Sequence, residues 1–307
     1  MTIEQLVAAE LGAPVDARVT AMAEAIAARH SHAARAVLFY GSCLREANLD
    51  GLMLDFYLIV DDYARAFGKG WLAFANRLLP PNVFPFEHDG LIAKYAVLSE
   101  SDFARLASSK TRNVSVWARF AQPSRLIWAA DDAARRSSIA AVAGAAPALL
   151  GAARPMLPDR LSVEALWEGA FALTYGAELR AERTGRAASV VSADLERFRR
   201  FTAPALDAAG IEAEIKDDVV RFRGPLSAAD RRAGAAAWQR RRREGKALTI
   251  ARLAKASTTY AGGIDYLAWK INRHAGAAIM IKPWQRRWPI LGAISLLPRL
   301  LIKGAVR

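Results

Sequence analysis

The chain has 307 residues, 53% of them hydrophobic and 24% charged, a composition that excludes a disordered protein and allows about two domains. Its 43 Lys and Arg against 30 Asp and Glu give a formal net charge of +13, which indicates an anionic partner such as nucleic acid, nucleotide or acidic lipid. The single cysteine, Cys43, excludes an intramolecular disulfide and indicates a reducing compartment, and four scattered histidines exclude a Cys/His zinc cluster.

Helices and strands alternate in the N-terminal half. Residues 1–35 place apolar side chains at helical spacing, predict one or two helices and show no signal peptide. Strands are predicted at Ala36–Tyr40 and Leu52–Val60, followed by a helix around Tyr63–Leu79 that "PPN" ends. A third strand is predicted at Leu91–Ser99, and "ESDFARLAS" after it is helical. A helix, a turn and another strand follow in "SVWARFAQPSRLIWA".

The chain becomes alanine-rich and mostly helical from about residue 133. "IEAEIKDDVVRFRG" interrupts it as two alternating strands around a Lys-Asp-Asp turn, which predicts a hairpin near residues 211–223. "RRAGAAAWQRRRREGK" follows as a basic helical face. We predict three parts: a catalytic domain (1–132), a helical domain (133–281) and a tail (282–307).

The tail from Lys282 to Arg307 has six basic residues and no acidic one. Its apolar run from Trp288 to Ile302 would extend about 22 Å as a helix, shorter than the ~30 Å hydrocarbon core of a bilayer. Tryptophans beside arginines suit the membrane interface, where each basic residue near anionic lipid contributes about 1 kcal/mol. We therefore predict an amphipathic tail that binds an anionic membrane surface; the alternative is a helix packed on the core.

A lone carboxylate, Asp55, stands inside the second predicted strand. An unpaired charge buried in a sheet costs several kcal/mol, so a compensating group is expected. The Gly41–Ser42 turn after the first strand presents N–H groups and a hydroxyl to phosphate oxygens. A divalent ion held by Asp55 against the same phosphates would compensate the charge. The alternative is a pair of strands whose Asp55 lies at an exposed edge.

Five short motifs occur in order along the chain: "YGSCLREANLDGLMLDFYLIVDDY", "DGLIAKYAVLS", "ARFAQPSRLI", "LTYGAELRAE" and "KASTTYAGGIDYLAWK". Together they resemble the mitochondrial-type phosphatidate cytidylyltransferases, the translocator assembly and maintenance family, within the nucleotidyltransferase superfamily. The "YGS" turn and the "MLDF…VDD" strand carry most of the resemblance. Where that family has Gly-Asp, this chain has Ala177–Glu178.

The resemblance implies a fold and an activity. The fold is an α/β nucleotidyltransferase-like domain, then a mostly helical domain with a winged-helix-like hairpin and the amphipathic tail. The activity is transfer of CMP from CTP to phosphatidic acid, giving CDP-diacylglycerol and pyrophosphate with Mg²⁺ or a similar ion. Phosphatidate is already an anion at neutral pH, so no general base is needed. The protein would act peripherally, on the cytoplasmic face of the inner membrane or, in a eukaryote, on the matrix side.

The resemblance also implies roles for individual residues. The catalytic candidates are Asp55, Lys94 and Arg119. The nucleotide-binding candidates are Tyr40, Gly41, Ser42 and Arg180. The metal-binding candidates are Asp55, with Asp89 or Asp61 as a second carboxylate. Cys43 is interpreted as a packed thiol rather than a nucleophile, because no histidine lies near it in sequence.

Two other classes remain open. A nucleotidyltransferase acting on a soluble acceptor would share the Gly-Ser turn and Asp55. A winged-helix nucleic-acid-binding protein would explain the net charge, the hairpin and the Arg240–Arg243 run, although the motifs make nucleic acid the less favoured partner.

Overall fold

The structure, a computed structural model, describes residues 1–46, 48–178, 186–259 and 280–283. Arg180 and the tail from residue 284 onward lie outside the described residues. The strands are β1 (Ala34–Tyr40), β2 (Met53–Val60), β3 (Asn82–His88), β4 (Leu91–Ser99), β5 (Ser124–Ala129), β6 (Arg160–Ser162), β7 (Ala213–Lys216) and β8 (Val219–Phe222). The helices are α1 (Ile3–Leu11), α2 (Ala17–Arg29), α3 (Tyr63–Ala66), α4 (Gly70–Leu78), α5 (Glu100–Leu106), α6 (Trp117–Phe120), α7 (Asp132–Ala143), α8 (Ala145–Ala153), α9 (Val163–Tyr175), α10 (Arg186–Ser192), α11 (Leu195–Ala208) and α12 (Ala228–Thr259).

A five-stranded mixed sheet, in the order β3-β4-β2-β1-β5, forms the centre of the N-terminal half. β1 and β2 are antiparallel, with Tyr40 opposite Asp55, and β2 and β4 are parallel, with Asp55 opposite Lys94. The prediction that the first two strands share a sheet is therefore confirmed, as is an α/β class. β2 is the central strand, so the alternative that places Asp55 at an exposed edge is wrong.

Alternate side chains of the central strands enter two different hydrophobic clusters, as the two-residue period of a strand requires. Leu38 and Tyr57 face a cluster built with α1 and with helices that follow residue 132. Phe39 and Phe56 face a second cluster that includes α2. The first cluster runs from Ile3 to Trp238, so the sheet and the later helices share one core across the predicted domain boundary.

One strand of the sheet was not predicted. β3 pairs antiparallel with β4 through a turn at Asp89 and Gly90, whose φ values of 46° and 74° are both positive. β3 contains Pro85, which weakens a strand pattern but is tolerated because β3 lies at the edge of the sheet. The predicted helix over Tyr63–Leu79 is two helices, α3 and α4.

The predicted hairpin is present in the second half. β7 and β8 pair antiparallel around Asp217 and Asp218, which have φ values of 50° and 64°, and β6 joins them in a three-stranded sheet. A helical stretch of mean hydropathy 1.3, Asp132–Met156, is long and apolar enough to cross a membrane. Just over half of its apolar window (56%) is buried against the protein, and a core helix meets the same criteria.

The long helix α12 returns from the hairpin to the sheet domain. A capping box between Ser227 and Asp230 begins it, with each backbone N–H 3.1 Å from a side-chain oxygen of the other residue. Trp238 is fully buried and donates a hydrogen bond to Ala152 O at 2.8 Å. Further along, a Cβ at Gly245 would overlap the carbonyl oxygen of Ala177, so only glycine allows this close approach.

Candidate active site

Gly41 and Asp55 are in direct contact where β1 ends. Gly41 has φ 99° and ψ −169°, a backbone conformation that is nearly restricted to glycine. A Cβ at this position would lie 3.3 Å from Asp55 Oδ2. The turn therefore brings its backbone against the carboxylate, and Ser42 starts a short 3-10 turn directly after it.

Lys94 provides the compensation that a charge on a central strand requires. Its Nζ lies 2.9 Å from Asp55 Oδ1, because the two residues are opposite each other on β2 and β4. The Asp55 and Lys94 side chains remain 24% and 27% exposed, so the pair can be reached from solvent. The structure thus brings together Gly41, Ser42, Asp55 and Lys94, as the motifs predicted.

An aromatic cluster lies beside the ion pair. The rings of Tyr40 and Tyr57 are 5.2 Å apart, and Phe120 is 5.2 Å from Tyr57. Arg119 lies within hydrogen-bonding distance of the Tyr57 hydroxyl, 3.4 Å, and donates to Ser115 O at 2.8 Å. The predicted residues Tyr40 and Arg119 therefore belong to the same site.

The guanidinium group of Arg119 keeps its charge in this position. Burial acts to lower its pKa, but the neighbouring groups of Tyr57, Tyr40, Glu178 and Asp55 outweigh this effect and raise the pKa above its ordinary value. Arg119 is thus a fixed positive charge at any working pH.

Arg252 of α12 adjoins Arg119 through Ser115, and Lys255 lies near Arg252; the sequence analysis assigned neither residue. Arg252 donates to Ser115 Oγ at 2.8 Å and to Pro80 O at 3.0 Å. Lys255, the first residue of the last motif, donates to Pro81 O at 2.8 Å and to Leu79 O. Their contacts span more than 130 residues of sequence, so no local pattern indicates them.

Glu178 is connected to Arg252 through the hydroxyl of Ser115. The Ser115 hydroxyl donates to Glu178, which is buried, and accepts from Arg252. Glu178 lies in the "LTYGAELRAE" motif, and its carboxylate is connected through Ser115 to Arg119 and Arg252. The only sequence signal for it was the "LTYGAELRAE" motif.

The surroundings of Lys255 lower the pKa of its amino group. Burial, and then the positive charge of Arg252, lower the pKa of Lys255 from 10.5 to about 7. Burial also lowers the pKa of Arg252. A bound anion would relieve the repulsion between these cations, so the pair favours a negatively charged ligand.

The two candidates for a second carboxylate lie elsewhere. Asp61 follows the far end of β2, six residues from Asp55 or roughly 20 Å along the strand, and pairs with Arg65. Asp89 lies in the β3–β4 turn, five residues or roughly 16 Å from Lys94, and contacts His88 at 3.5 Å. Neither can share one ion with Asp55 at these separations.

The side chains at the site could hold a magnesium ion only if substrate phosphates supplied further oxygen ligands. Among the residues that the structure describes, no group of three His, Cys, Asp or Glu side chains is placed to hold a metal. Magnesium is usually bound by one or two carboxylates and by substrate phosphates, and Asp55 can supply one such carboxylate. A nucleotide triphosphate would have to supply most of the remaining oxygens.

Cys43 is a packed thiol, as predicted. It is buried, and burial together with the nearby charges of Asp55 and Glu46 raises its pKa. The thiol therefore stays protonated at neutral pH and is a poor nucleophile.

Comparisons with known proteins add no assignment. A scan against profiles of protein families finds no match, and a search of curated proteins finds no significant match.

Proposed function

We propose that this chain is a nucleotidyltransferase that transfers CMP from CTP to phosphatidic acid. The observation that supports this proposal most is the contact of Asp55 with Gly41 and Lys94 at the end of a central strand. A turn that only glycine permits and a solvent-accessible carboxylate suit a triphosphate held through a cation. The five ordered motifs point to the nucleotide and the acceptor.

The basic side chains match the charge of the two substrates. A triphosphate carries several negative charges, and a phosphate monoester adds about −1.5 to −2 at pH 7. Lys94 and Arg119 lie at the site, Arg252 adjoins Arg119 through Ser115, and these cations would neutralise this charge. Glu178 and Asp55 keep the cations oriented when no substrate is present, since each accepts from a group of the same network.

The reaction needs positioning more than proton transfer. A phosphatidate oxygen would form a bond to the α-phosphorus of CTP, and the bond from that phosphorus to the bridging oxygen would break, releasing pyrophosphate. The attacking oxygen is already ionised, so no side chain has to remove a proton. A magnesium ion, when bound at Asp55, supplies neutralisation of the charge on the departing pyrophosphate.

A test uses the full chain with radiolabelled CTP, Mg²⁺ and phosphatidate in detergent micelles, followed by lipid extraction. Label in the lipid phase that depends on phosphatidate supports the proposal. We expect Asp55→Asn to reduce transfer at least about 100-fold, since the substitution deletes a metal ligand and also breaks the ion pair with Lys94. Asp61→Asn, at the far end of β2, is the matched control and should retain activity.

The same assay separates the proposal from its alternatives. Consumption of CTP without lipid labelling, restored by a soluble acceptor, would indicate the other nucleotidyltransferase class. No turnover together with salt-dependent binding of duplex DNA would favour the nucleic-acid-binding class. That class would use the Arg240–Arg243 run, in which Arg241 packs on the Trp238 ring and the other three side chains are exposed.

A further inference from the structure

Helix α4 exposes three large apolar side chains, while a small and a polar residue are buried beneath it. Trp71, Phe74 and Leu78 are 49%, 67% and 74% exposed. Ala73 and Asn76 are the buried residues of the same helix. The spacing of three and four residues places the exposed side chains on one face, which we call the α4 ridge. A soluble surface helix has the opposite arrangement, so the ridge indicates an apolar partner.

Hydrogen bonds beneath the helix fix the orientation of α4. The Asn76 side-chain amide donates to Val97 O at 2.9 Å, and its oxygen accepts from the backbone N–H of Asn82. The Asn82 side chain in turn donates to Leu72 O at 3.0 Å. A rotation that buried the α4 ridge would break these bonds in a buried environment.

The charges around the ridge identify the kind of partner. α4 contains no acidic residue, Lys69 precedes it, and Arg77 lies on its exposed side. Arg77 also pairs with Asp62 at 2.9 Å, so it stays near the base of the ridge. Large apolar side chains between basic residues, on a chain with a net charge of +13, suit an anionic lipid surface.

We propose that the α4 ridge inserts into the interface of an anionic bilayer and holds the protein there. Tryptophan favours this depth because its ring is apolar and its N–H is polar. This proposal is independent of the prediction made for the C-terminal tail.

The end of α4 is joined to the basic side chains of α12. Leu79, Pro80 and Pro81 directly follow α4, and their carbonyl oxygens accept hydrogen bonds from Lys255 and Arg252. Insertion of the helix would therefore hold the part of α12 that carries these side chains close to the membrane, where the proposed acceptor resides. This step, unlike membrane binding itself, rests on the proposed function.

The first experiment measures sedimentation of the full chain with vesicles that contain phosphatidylcholine and 30% phosphatidylserine. We expect Trp71→Ser/Phe74→Ser/Leu78→Ser to lower the partition coefficient at least about tenfold. Ile215→Ser is the matched control, because Ile215 is 38% exposed on the acidic hairpin and should not change binding. Equal binding by the triple variant and the original chain would overturn the proposal.

A second experiment identifies what covers the ridge. An environment-sensitive dye is attached to Phe74→Cys, or to Ile215→Cys as control, while Cys43 is buried and stays unlabelled. Anionic vesicles should shift the emission of the dye at 74 to the blue, and lipid-borne quenchers should quench it; the dye at 215 should not respond. The proposal is overturned if vesicles leave the emission of the dye at 74 unchanged. It is also overturned if the dye at 74 is already shielded without lipid, because another protein surface would then cover the helix.

The experiments distinguish failure of the membrane-binding proposal from failure of the proposed function. If the chain transfers no nucleotide but the α4 ridge binds vesicles, only the proposed function is lost. If the triple variant is as active as the original chain on detergent-dispersed phosphatidate and also as active on vesicles, the ridge has no role in acceptor delivery.

Discussion

Replacing Gly41 by alanine tests the geometry of the candidate site without assuming a reaction. The new Cβ must occupy a backbone with φ 99° and ψ −169°, and it would lie 3.3 Å from Asp55 Oδ2. The Asp55 carboxylate cannot move freely, because Lys94 Nζ holds it at 2.9 Å. The substitution therefore strains the backbone and loosens the ion pair together.

The expected loss of stability is the sum of these two effects. A non-glycine residue in this backbone region costs about 1–3 kcal/mol. Weakening a partly exposed ion pair adds up to about 1 kcal/mol. We expect the free energy of unfolding to fall by roughly 1–4 kcal/mol, which lowers the ratio of folded to unfolded protein by roughly 5-fold to 1000-fold.

Urea unfolding followed by circular dichroism measures the effect. Gly90→Ala is the matched control: Gly90 has φ 74°, and an added Cβ would meet no atom within 4 Å, so only about 1–2 kcal/mol is expected. In an Asp55→Ala background the steric part at Gly41 should disappear. The reasoning is refuted if Gly41→Ala costs no more than Gly90→Ala, or if its cost is the same with and without Asp55.

Two further predictions concern α12. The folded-state pKa of Lys255, about 7, is below its unfolded value, so the unfolded chain binds more protons between pH 7 and 10.5 and stability rises with pH in that window. Urea unfolding at pH 7 and pH 9 should show that Lys255→Met removes roughly 2 kcal/mol of this rise; an unchanged pH dependence would contradict it. Gly245→Ala should destabilise by about 2 kcal/mol or more, because its Cβ overlaps Ala177 O, whereas Gly151→Ala in α8, with its nearest contact at 4.0 Å, should stabilise by about 0.5–1 kcal/mol. Thermal unfolding that gave both glycine variants the same sign would show that α12 does not pack as described.

Much of the sheet follows from local sequence. The residues of β1 and β2 are apolar, aromatic and β-branched, and a polar loop separates them, so their pairing was predictable. β3 was not predicted because Pro85 masks its pattern and because an edge strand needs no continuous apolar face. The split between α3 and α4 could have been expected from Gly68, which lies between them.

The site was predictable only where its parts are neighbours in sequence or belong to one motif. Asp55 and Lys94 are opposite each other on β2 and β4, and Gly41 directly follows Tyr40, which is opposite Asp55 on β1. Asp61 and Asp89 are also close to Asp55 or Lys94 in sequence. A strand advances about 3.3 Å per residue, however, and this separates both of them from Asp55. Arg252 and Lys255 reach their partners only because α12 passes Ala177 and returns to the segment before β3, and no periodic pattern encodes that path.

The bond from Arg252 to Ser115 joins residues 137 positions apart, and the one from Lys255 to Leu79 joins residues 176 apart. At about 5–20 residues per second, a ribosome needs roughly 7–30 seconds to make the chain between the first pair. During that interval Asp55 and Lys94 have already been synthesised, but the last two cations have not. A nascent chain therefore cannot form the contacts of Arg252 and Lys255 until late in its synthesis, well after the Asp55–Lys94 pair can form.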